Sequence, residues 1–160
     1  MLLERGDEPM PPSCELLLMF AARATHLANL VRPAVARGAC VLCDRFTDAT
    51  YAYQGGGRGL PEADIDALVR IVHGDFWPHL TLLLDAPVAT GLDRARVRNG
   101  ADGPDRFETE RHDFFERVRA TYLQRAMREP DRIKVIDATG DIEAVAEAVQ
   151  DPLRALLETI

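Results

Sequence analysis

Three short apolar runs, each ending in aspartate, constrain the fold of this chain more than any other feature. They read ACVLCD (39–44), LTLLLD (80–85) and RIKVID (132–137), and stretches with helical spacing separate them. Apolar runs that alternate with helices are typical of parallel sheets covered by helices. The sequence therefore predicts an α/β fold with three parallel strands, in which LTLLLD is buried on both faces.

Capping and helix-breaking residues predict the ends of the first helix. Ser13 is expected to cap it, with Glu15 favourably placed in the first turn. Pro33 is expected to kink or break this helix, and Gly38 to end it near Arg37.

Later helices follow the same logic. Pro61 and Gly74 bracket one helix with amphipathic spacing. Others are predicted from Pro87 through Arg98, from about Glu108 to Met127, and from an Asp141 cap onward, where Pro152 is expected to interrupt the helix. Because the sequence shows no internal repeat and no linker, residues 1–160 are interpreted as one domain.

The segment 41–59, VLCDRFTDATYAYQGGGRG, carries the strongest indication of function. Asp44 and Arg45 stand at the carboxyl end of a predicted strand, where ligands bind in open α/β sheets. The aromatic, hydroxyl-bearing and glycine-rich residues that follow favour a loop around a flat, phosphorylated small molecule. An ordinary surface loop is the alternative interpretation.

This segment closely resembles the substrate-binding region of bacterial thymidylate kinases, and the resemblance runs from near Leu2 to the C-terminus. It implies ATP- and Mg²⁺-dependent phosphorylation of dTMP to dTDP on a P-loop nucleoside-monophosphate-kinase fold, and a homodimer for a complete family member. However, no G-x-x-x-x-G-K-[ST] phosphate loop occurs, and the only lysine is Lys134 in RIKVID. The resemblance therefore implies a chain that lacks the first two strands of the fold, the central one included. Such a chain is expected to be unstable and to have negligible kinase activity.

The resemblance also assigns roles around the substrate. Arg23 is expected to hydrogen-bond the base, and Phe20 to stack on it, although the family's aromatic stands four residues before this arginine, where Met19 lies here. Core packing of Phe20 and a buried ion pair for Arg23 are the structural alternatives. The remaining substrate residues are expected to be Arg45 at the phosphate, Thr50 at the base edge, Tyr53 against the sugar with Gln54 nearby, and Asp44 near Mg²⁺.

Residues 93–106 resemble the lid of these kinases. In relatives without an arginine in the phosphate loop, a lid arginine stabilises the transferring phosphoryl group. Arg98 is the first candidate by position, followed by Arg94 and Arg106, while Arg96 points away from the face that Arg94 and Arg98 share. A solvated basic helix face is the structural alternative.

Composition limits the other classes of function. The net charge of −7 argues against a sequence-independent nucleic-acid binder. Nearly all basic residues are arginine, whose planar guanidinium suits recognition of a compact anion. No membrane span and no secretory signal are recognised, so a cytoplasmic protein is expected. Cys40 and Cys43 are interpreted as buried strand residues rather than a metal or redox pair, and the histidines show no metal-ligand spacing.

Two other functions remain open at this point. One is a non-catalytic remnant that holds a deoxynucleotide without phosphorylating it. The other is a kinase for a different nucleoside monophosphate, which the TYAYQGGGRG segment disfavours.

Overall fold

The structure, a computed structural model, describes residues 10–99 and 112–159, apart from the side chains of residues 96, 98 and 99. The chain forms two compact units, residues 1–77 (unit 1) and 78–160 (unit 2). In its described part, unit 1 is helical, and unit 2 is a small parallel sheet with helices.

Unit 1 begins with a continuous helix from Pro12 to Ala36. It consists of α1 (Pro12–His26), a π-helical stretch (Leu27–Val31) and α2 (Arg32–Ala36). Its amino end differs from the prediction, because Pro12 occupies the first helical position and no side chain caps the helix. Proline suits that position since the first amide has no intrahelical acceptor.

Pro33 does not break this helix. The amide of Arg32 instead reaches back five residues to the carbonyl of Leu27, as in a π-helix. This wider turn accommodates a proline that has no amide and crowds the preceding turn. Gly38 ends the helix as predicted, with φ at +77° and its amide bonded to the carbonyl of Val35.

Helix 12–36 is also long and apolar enough, by length and composition alone, to cross a membrane, contrary to the expectation of no such segment. Its buried residues Leu16, Phe20, Leu27 and Val31 lie inside unit 1, where α1 packs on another helix. The core helix of a folded domain and a signal sequence near the N-terminus both meet the same criterion.

The rest of unit 1 packs against this helix. It comprises α3 (Thr47–Thr50), a π-helical continuation (Tyr51–Gly57) and α4 (Glu62–Val72). The core joins Leu16 and Phe20 to Tyr51, Ile65 and Val69. Pro61 and Gly74 bound α4 as predicted, with Gly74 at φ +54°.

The predicted strand 39–44 is wrong. These residues form no strand; Leu42 is 98% exposed, and Cys40 and Cys43 are exposed rather than buried. A strand persists only when a neighbour satisfies its amides and carbonyls. No described residue pairs with this segment, so its β-branched and apolar composition alone does not make it a strand.

Unit 2 contains two parallel strands, β1 (Thr81–Asp85) and β2 (Ile133–Asp137), paired in register along their length. The connection runs through α5 (Val88–Asn99) and α6 (His112–Arg128), and α7 (Ile142–Leu157) follows β2. A parallel α/β sheet is thus confirmed, but in the described part it has two strands rather than three. Leu84 is 54% exposed, so burial of LTLLLD on both faces was also wrongly predicted.

The start of the last helix agrees with the prediction, whereas its continuation past Pro152 does not. Asp141 caps α7 by accepting the amide of Ala144 at 2.9 Å, as predicted. Pro152 lies inside α7 without interrupting it. The helices predicted from Pro87 and to Met127 appear as α5 and α6, while residues 108–111 lie outside the described part.

Candidate active site

The guanidinium of Arg23 is the centre of the polar site in unit 1. Nη2 donates to Thr50 Oγ1 at 3.0 Å and, over a longer distance of 3.5 Å, to the carbonyl oxygen of Phe46. Arg23 lies on α1 and Thr50 at the end of α3, so packing of these helices brings the two residues together. The sequence had assigned both to the base of a nucleotide.

Two aromatic rings flank this guanidinium. Its Cζ lies 4.9 Å from the ring centroid of Phe20 and 5.5 Å from that of Phe46, both within cation–π range. Phe20 is only 2% exposed and belongs to the core, whereas Phe46 is partly exposed. Phe20 therefore offers little free ring surface to a base, and Met19, one residue earlier, is half-buried.

One donor of Arg23 has no partner within the described residues. Nη1 is buried and forms no hydrogen bond there, although the guanidinium is charged at every physiological pH. Burial lowers the pKa of Arg23 from its ordinary value, opposed by the nearby Cys43 and Asp48. A buried, unpaired donor on a charged group is costly, and a ligand that carries an acceptor would satisfy it.

Arg45 and Tyr53, which the resemblance assigns to the phosphate and the sugar, contact each other. The guanidinium of Arg45 lies 5.1 Å from the centroid of the Tyr53 ring. Arg45 is exposed and has φ of +61°, an unusual conformation for a residue other than glycine. Such conformations are concentrated at functional sites. Asp44, the preceding residue, is exposed as well.

Gln54 occupies a buried polar cluster instead of an open pocket. Its Nε2 donates to Glu15 Oε1 at 2.8 Å, and Arg58 Nε reaches the same oxygen at 3.5 Å. Glu15 is fully buried, so its role exceeds the favourable first-turn charge expected of it. Spacing alone could not reveal this cluster because its members are 39 and 43 residues apart.

The glycine-rich segment is helical up to Gly57 and is not the predicted loop. A Cβ on Gly55 would lie 3.3 Å from Ile65 Cδ1, so this glycine permits close approach of α4. Gly59 has φ of +77° and provides the turn before Pro61. At Gly55, the missing side chain thus allows close packing within the protein's own core.

Comparisons with known proteins identify the family of the chain. The family model for thymidylate kinase matches residues 1–149. The chain belongs to the thymidylate kinase family. A thymidylate kinase of Pseudomonas putida (strain W619) is 56% identical over 158 residues, which are 99% of this chain and 75% of that protein. One of Pseudomonas syringae pv. syringae (strain B728a) is 54% identical, with 99% and 74% covered.

A solved structure supports the same fold. The crystal structure of thymidylate kinase from Ehrlichia chaffeensis matches with a TM-score of 0.69 and 28% sequence identity. The match covers 93% of this chain and 68% of the other. The thymidylate kinase fold is therefore shared over nearly all of the present chain.

Among the arginines predicted to belong to a lid, Arg94 is the one whose side chain is described. It donates to the carbonyls of Ala138 (2.6 Å), Thr139 (3.1 Å) and Gly140 (3.1 Å) in the loop after β2. A role at a phosphoryl group would require these bonds to break. The side chains of Arg96 and Arg98, and all of Arg106, lie outside the described residues.

Family membership implies the use of ATP and Mg²⁺, and two features of the described residues bear on sites for them. A cleft of about 420 Å³ in unit 2 is lined by Leu84, Arg94 and Val145, but its arginine is already bonded to carbonyls. Within residues 10–99 and 112–159, no three His, Cys, Asp or Glu side chains cluster to hold a metal ion. Asp44 near Mg²⁺ stays a prediction, and no chemical step is derived through either group.

Two further polar contacts were not predicted from the sequence. Arg119 donates two hydrogen bonds, of 2.7 and 2.8 Å, to the carboxylate of Asp85 at the end of β1. These hydrogen bonds lower the pKa of Asp85. In unit 1, Thr47 Oγ1 lies 2.9 Å from Nε2 of the buried His73. The aspartate ending LTLLLD was the only sequence signal for the first contact, and the second had none.

Proposed function

We propose that unit 1 binds dTMP, the nucleotide that the thymidylate kinase family phosphorylates. The unpaired, buried Nη1 of Arg23, beside the Arg23–Thr50 hydrogen bond, is the observation that carries this proposal. Thymine offers the O4 acceptor that such a donor needs. Cytosine presents an amino group at the same place and would leave the donor unpaired.

The other recognised groups of the nucleotide have candidates in the same unit. The exposed guanidinium of Arg45 can form a bidentate contact with the phosphate. The Tyr53 ring, held beside it, lies next to the deoxyribose in this proposal and would crowd the 2′-hydroxyl of a ribonucleotide. Thr50 faces the base edge with Arg23, and Phe20 supports that guanidinium from the core.

We infer that these 160 residues alone transfer little phosphate. The sequence contains no phosphate loop with its lysine, and Lys134 donates to the carbonyl of Pro130 at the start of β2. The ATP-dependent phosphorylation of dTMP to dTDP, with Mg²⁺, then belongs to a family member that supplies such a loop.

The location and assembly of the protein follow from the same proposal. A cytoplasmic location fits an enzyme of deoxynucleotide synthesis, and the packing of helix 12–36 in the core supports it. A homodimer is proposed for a complete family member. No nucleic-acid partner is proposed, given the net charge of −7.

Titration calorimetry on the 160-residue chain tests this function. We expect dTMP to bind more tightly than dCMP or UMP by about tenfold, since dCMP leaves the Arg23 donor unpaired and the 2′-hydroxyl of UMP is crowded by Tyr53, each at a cost of about 1–2 kcal/mol. Arg23→Gln should abolish the preference over dCMP. Arg70→Gln is the matched control, because Arg70 is an exposed arginine on α4 of the same unit.

The outcomes separate the alternatives. If UMP bound as tightly as dTMP, the role given to Tyr53 would be wrong. If dCMP bound as tightly as dTMP, the role given to Arg23 would be wrong. A coupled assay for ADP release with ATP, Mg²⁺ and dTMP should show negligible turnover by this chain. Rapid formation of dTDP would refute the inference on phosphate transfer while leaving the binding proposal intact.

A further inference from the structure

The imidazole of His73 is a buried titratable group next to the Arg23 site that the proposed function does not use. His73 directly follows α4 and is 4% exposed. Nε2 lies 2.9 Å from the hydroxyl of Thr47, the first residue of α3. The ring is 5.2 Å from the centroid of Phe46 and 4.9 Å from that of Trp77. Its position is therefore fixed by one hydrogen bond and two aromatic contacts.

These contacts connect His73 to the group proposed to recognise the base. Phe46 immediately precedes α3, its ring lies beside the guanidinium of Arg23, and its carbonyl accepts from Nη2. Thr50, the other partner of Nη2, lies one helical turn after Thr47. Whatever holds Thr47 and Phe46 in place also sets the position of both acceptors of Arg23.

We propose that His73 is a positioning residue for base recognition: its neutral imidazole fixes Thr47 and Phe46, and nucleotide binding weakens when His73 takes up a proton. The inference rests on the proposed binding of dTMP at Arg23. It concerns a residue that touches no substrate and acts through Thr47, Phe46 and the charge beside Arg23.

The charges around His73 explain why its protonation would matter. Arg23 from α1 and Arg32 from α2 are the cations that face it, and Arg32 also donates to its backbone carbonyl at 3.3 Å. Asp48 on α3 is the carboxylate near Arg23. A proton on His73 adds a third positive charge to this buried region and repels Arg23. Burial, followed by the field of Arg23, lowers the pKa of His73 from 6.5, in keeping with a neutral ring at pH 7.

Calorimetry with dTMP at pH 7.5 and pH 5.5 tests the proposal on the 160-residue chain. His73→Gln keeps a hydrogen-bonding group near Thr47 but does not titrate, whereas His73→Phe keeps a ring and loses the bond. Since the phosphate of dTMP itself titrates near pH 6, the quantity compared is the ratio of wild-type affinity to that of the Gln variant at each pH. His26→Gln, an exposed histidine on α1, is the matched control.

Because the pKa of His73 lies below 6.5, we expect the ratio to stay level down to about pH 6.5 and to fall by less than about tenfold by pH 5.5. His73→Phe should bind dTMP about threefold to tenfold more weakly than wild type at pH 7.5, and His26→Gln should titrate like wild type. Because Trp77 is the only tryptophan, its fluorescence should drop on acidification in wild type and not in His73→Gln, with no ligand present.

Each other outcome is decisive. If dTMP binds at pH 7.5 but the ratio of wild-type to His73→Gln affinity does not change with pH, the role of His73 is overturned and the proposed function stands. Wild-type affinity in a folded His73→Phe would do the same. A complete lack of dTMP binding at pH 7.5 would overturn the proposed function, and this inference with it.

Discussion

At the scale of single residues, the resemblance named residues that the structure brings into contact, but not the residues that support them. Arg23 contacts Thr50 and Arg45 contacts Tyr53, while their roles at a nucleotide stay predictions. Glu15 could not be predicted as a buried anchor, since nothing in its local sequence distinguishes it from a solvated first-turn glutamate. Its burial depends on Gln54 and Arg58, which only the fold brings near.

The Asp85–Arg119 pair predicts how acid affects the chain. Because hydrogen bonds from Arg119 lower the pKa of Asp85 below 3.8 in the folded state, the unfolded chain binds the proton more readily. The stabilisation is thus fully present above about pH 4 and is lost as the pH falls through the lowered pKa. Urea midpoints measured from pH 5 to pH 2.5 should fall for wild type.

Asp85→Asn provides the comparison, since it cannot titrate. At pH 5 the variant should have a lower urea midpoint than wild type. Its midpoint should then fall less than that of wild type as the pH is lowered. Asp131→Asn, at an exposed position shortly before β2, should follow the wild-type slope. A wild-type slope in Asp85→Asn would show that the pair adds nothing to the pH dependence.

At the scale of elements, composition predicted helices better than strands. Helix ends at Gly38, Gly74 and Asp141 depend on local chemistry, which a sequence displays directly. A strand depends on a neighbour that sequence does not display, and 39–44 has none in the part of the chain that the structure describes. The same reasoning explains why LTLLLD and RIKVID, which pair with each other, were correctly placed.

Two substitutions test the structure of the 39–44 segment. Leu42→Glu should change the free energy of unfolding by no more than about 0.5 kcal/mol, because the side chain is already in solvent. Leu27→Ala, at a residue that is 1% exposed in the same unit, should cost about 2–5 kcal/mol. Urea denaturation measures both. A loss above about 2 kcal/mol for Leu42→Glu would mean that this segment is buried after all.

At the scale of the whole molecule, exposed apolar surface is the dominant feature. The larger exposed side chains include Leu42 in unit 1, and Leu84, Val135, Ile142 and Leu157 in unit 2. A sheet of two parallel strands gives little independent stability. Composition did not reveal this surface, because an apolar share of 47% is ordinary for a globular protein and says nothing about where those residues lie.

We therefore expect the purified 160-residue chain to associate through this apolar surface. Light scattering after size exclusion should show oligomers or aggregates at micromolar concentration. Charged substitutions at Leu84 and Val135 should reduce association. A soluble monomer at that concentration would contradict this expectation.

The three bonds from Arg94 to the carbonyls after β2 also bear on how unit 2 moves. They join the middle of α5 to the turn that precedes α7, two segments 44 to 46 residues apart in the chain. Local opening of that turn must release Arg94, and fraying of α5 as far as Arg94 must free three carbonyls. The two segments should consequently open as one cooperative unit, with similar protection of their amides from exchange.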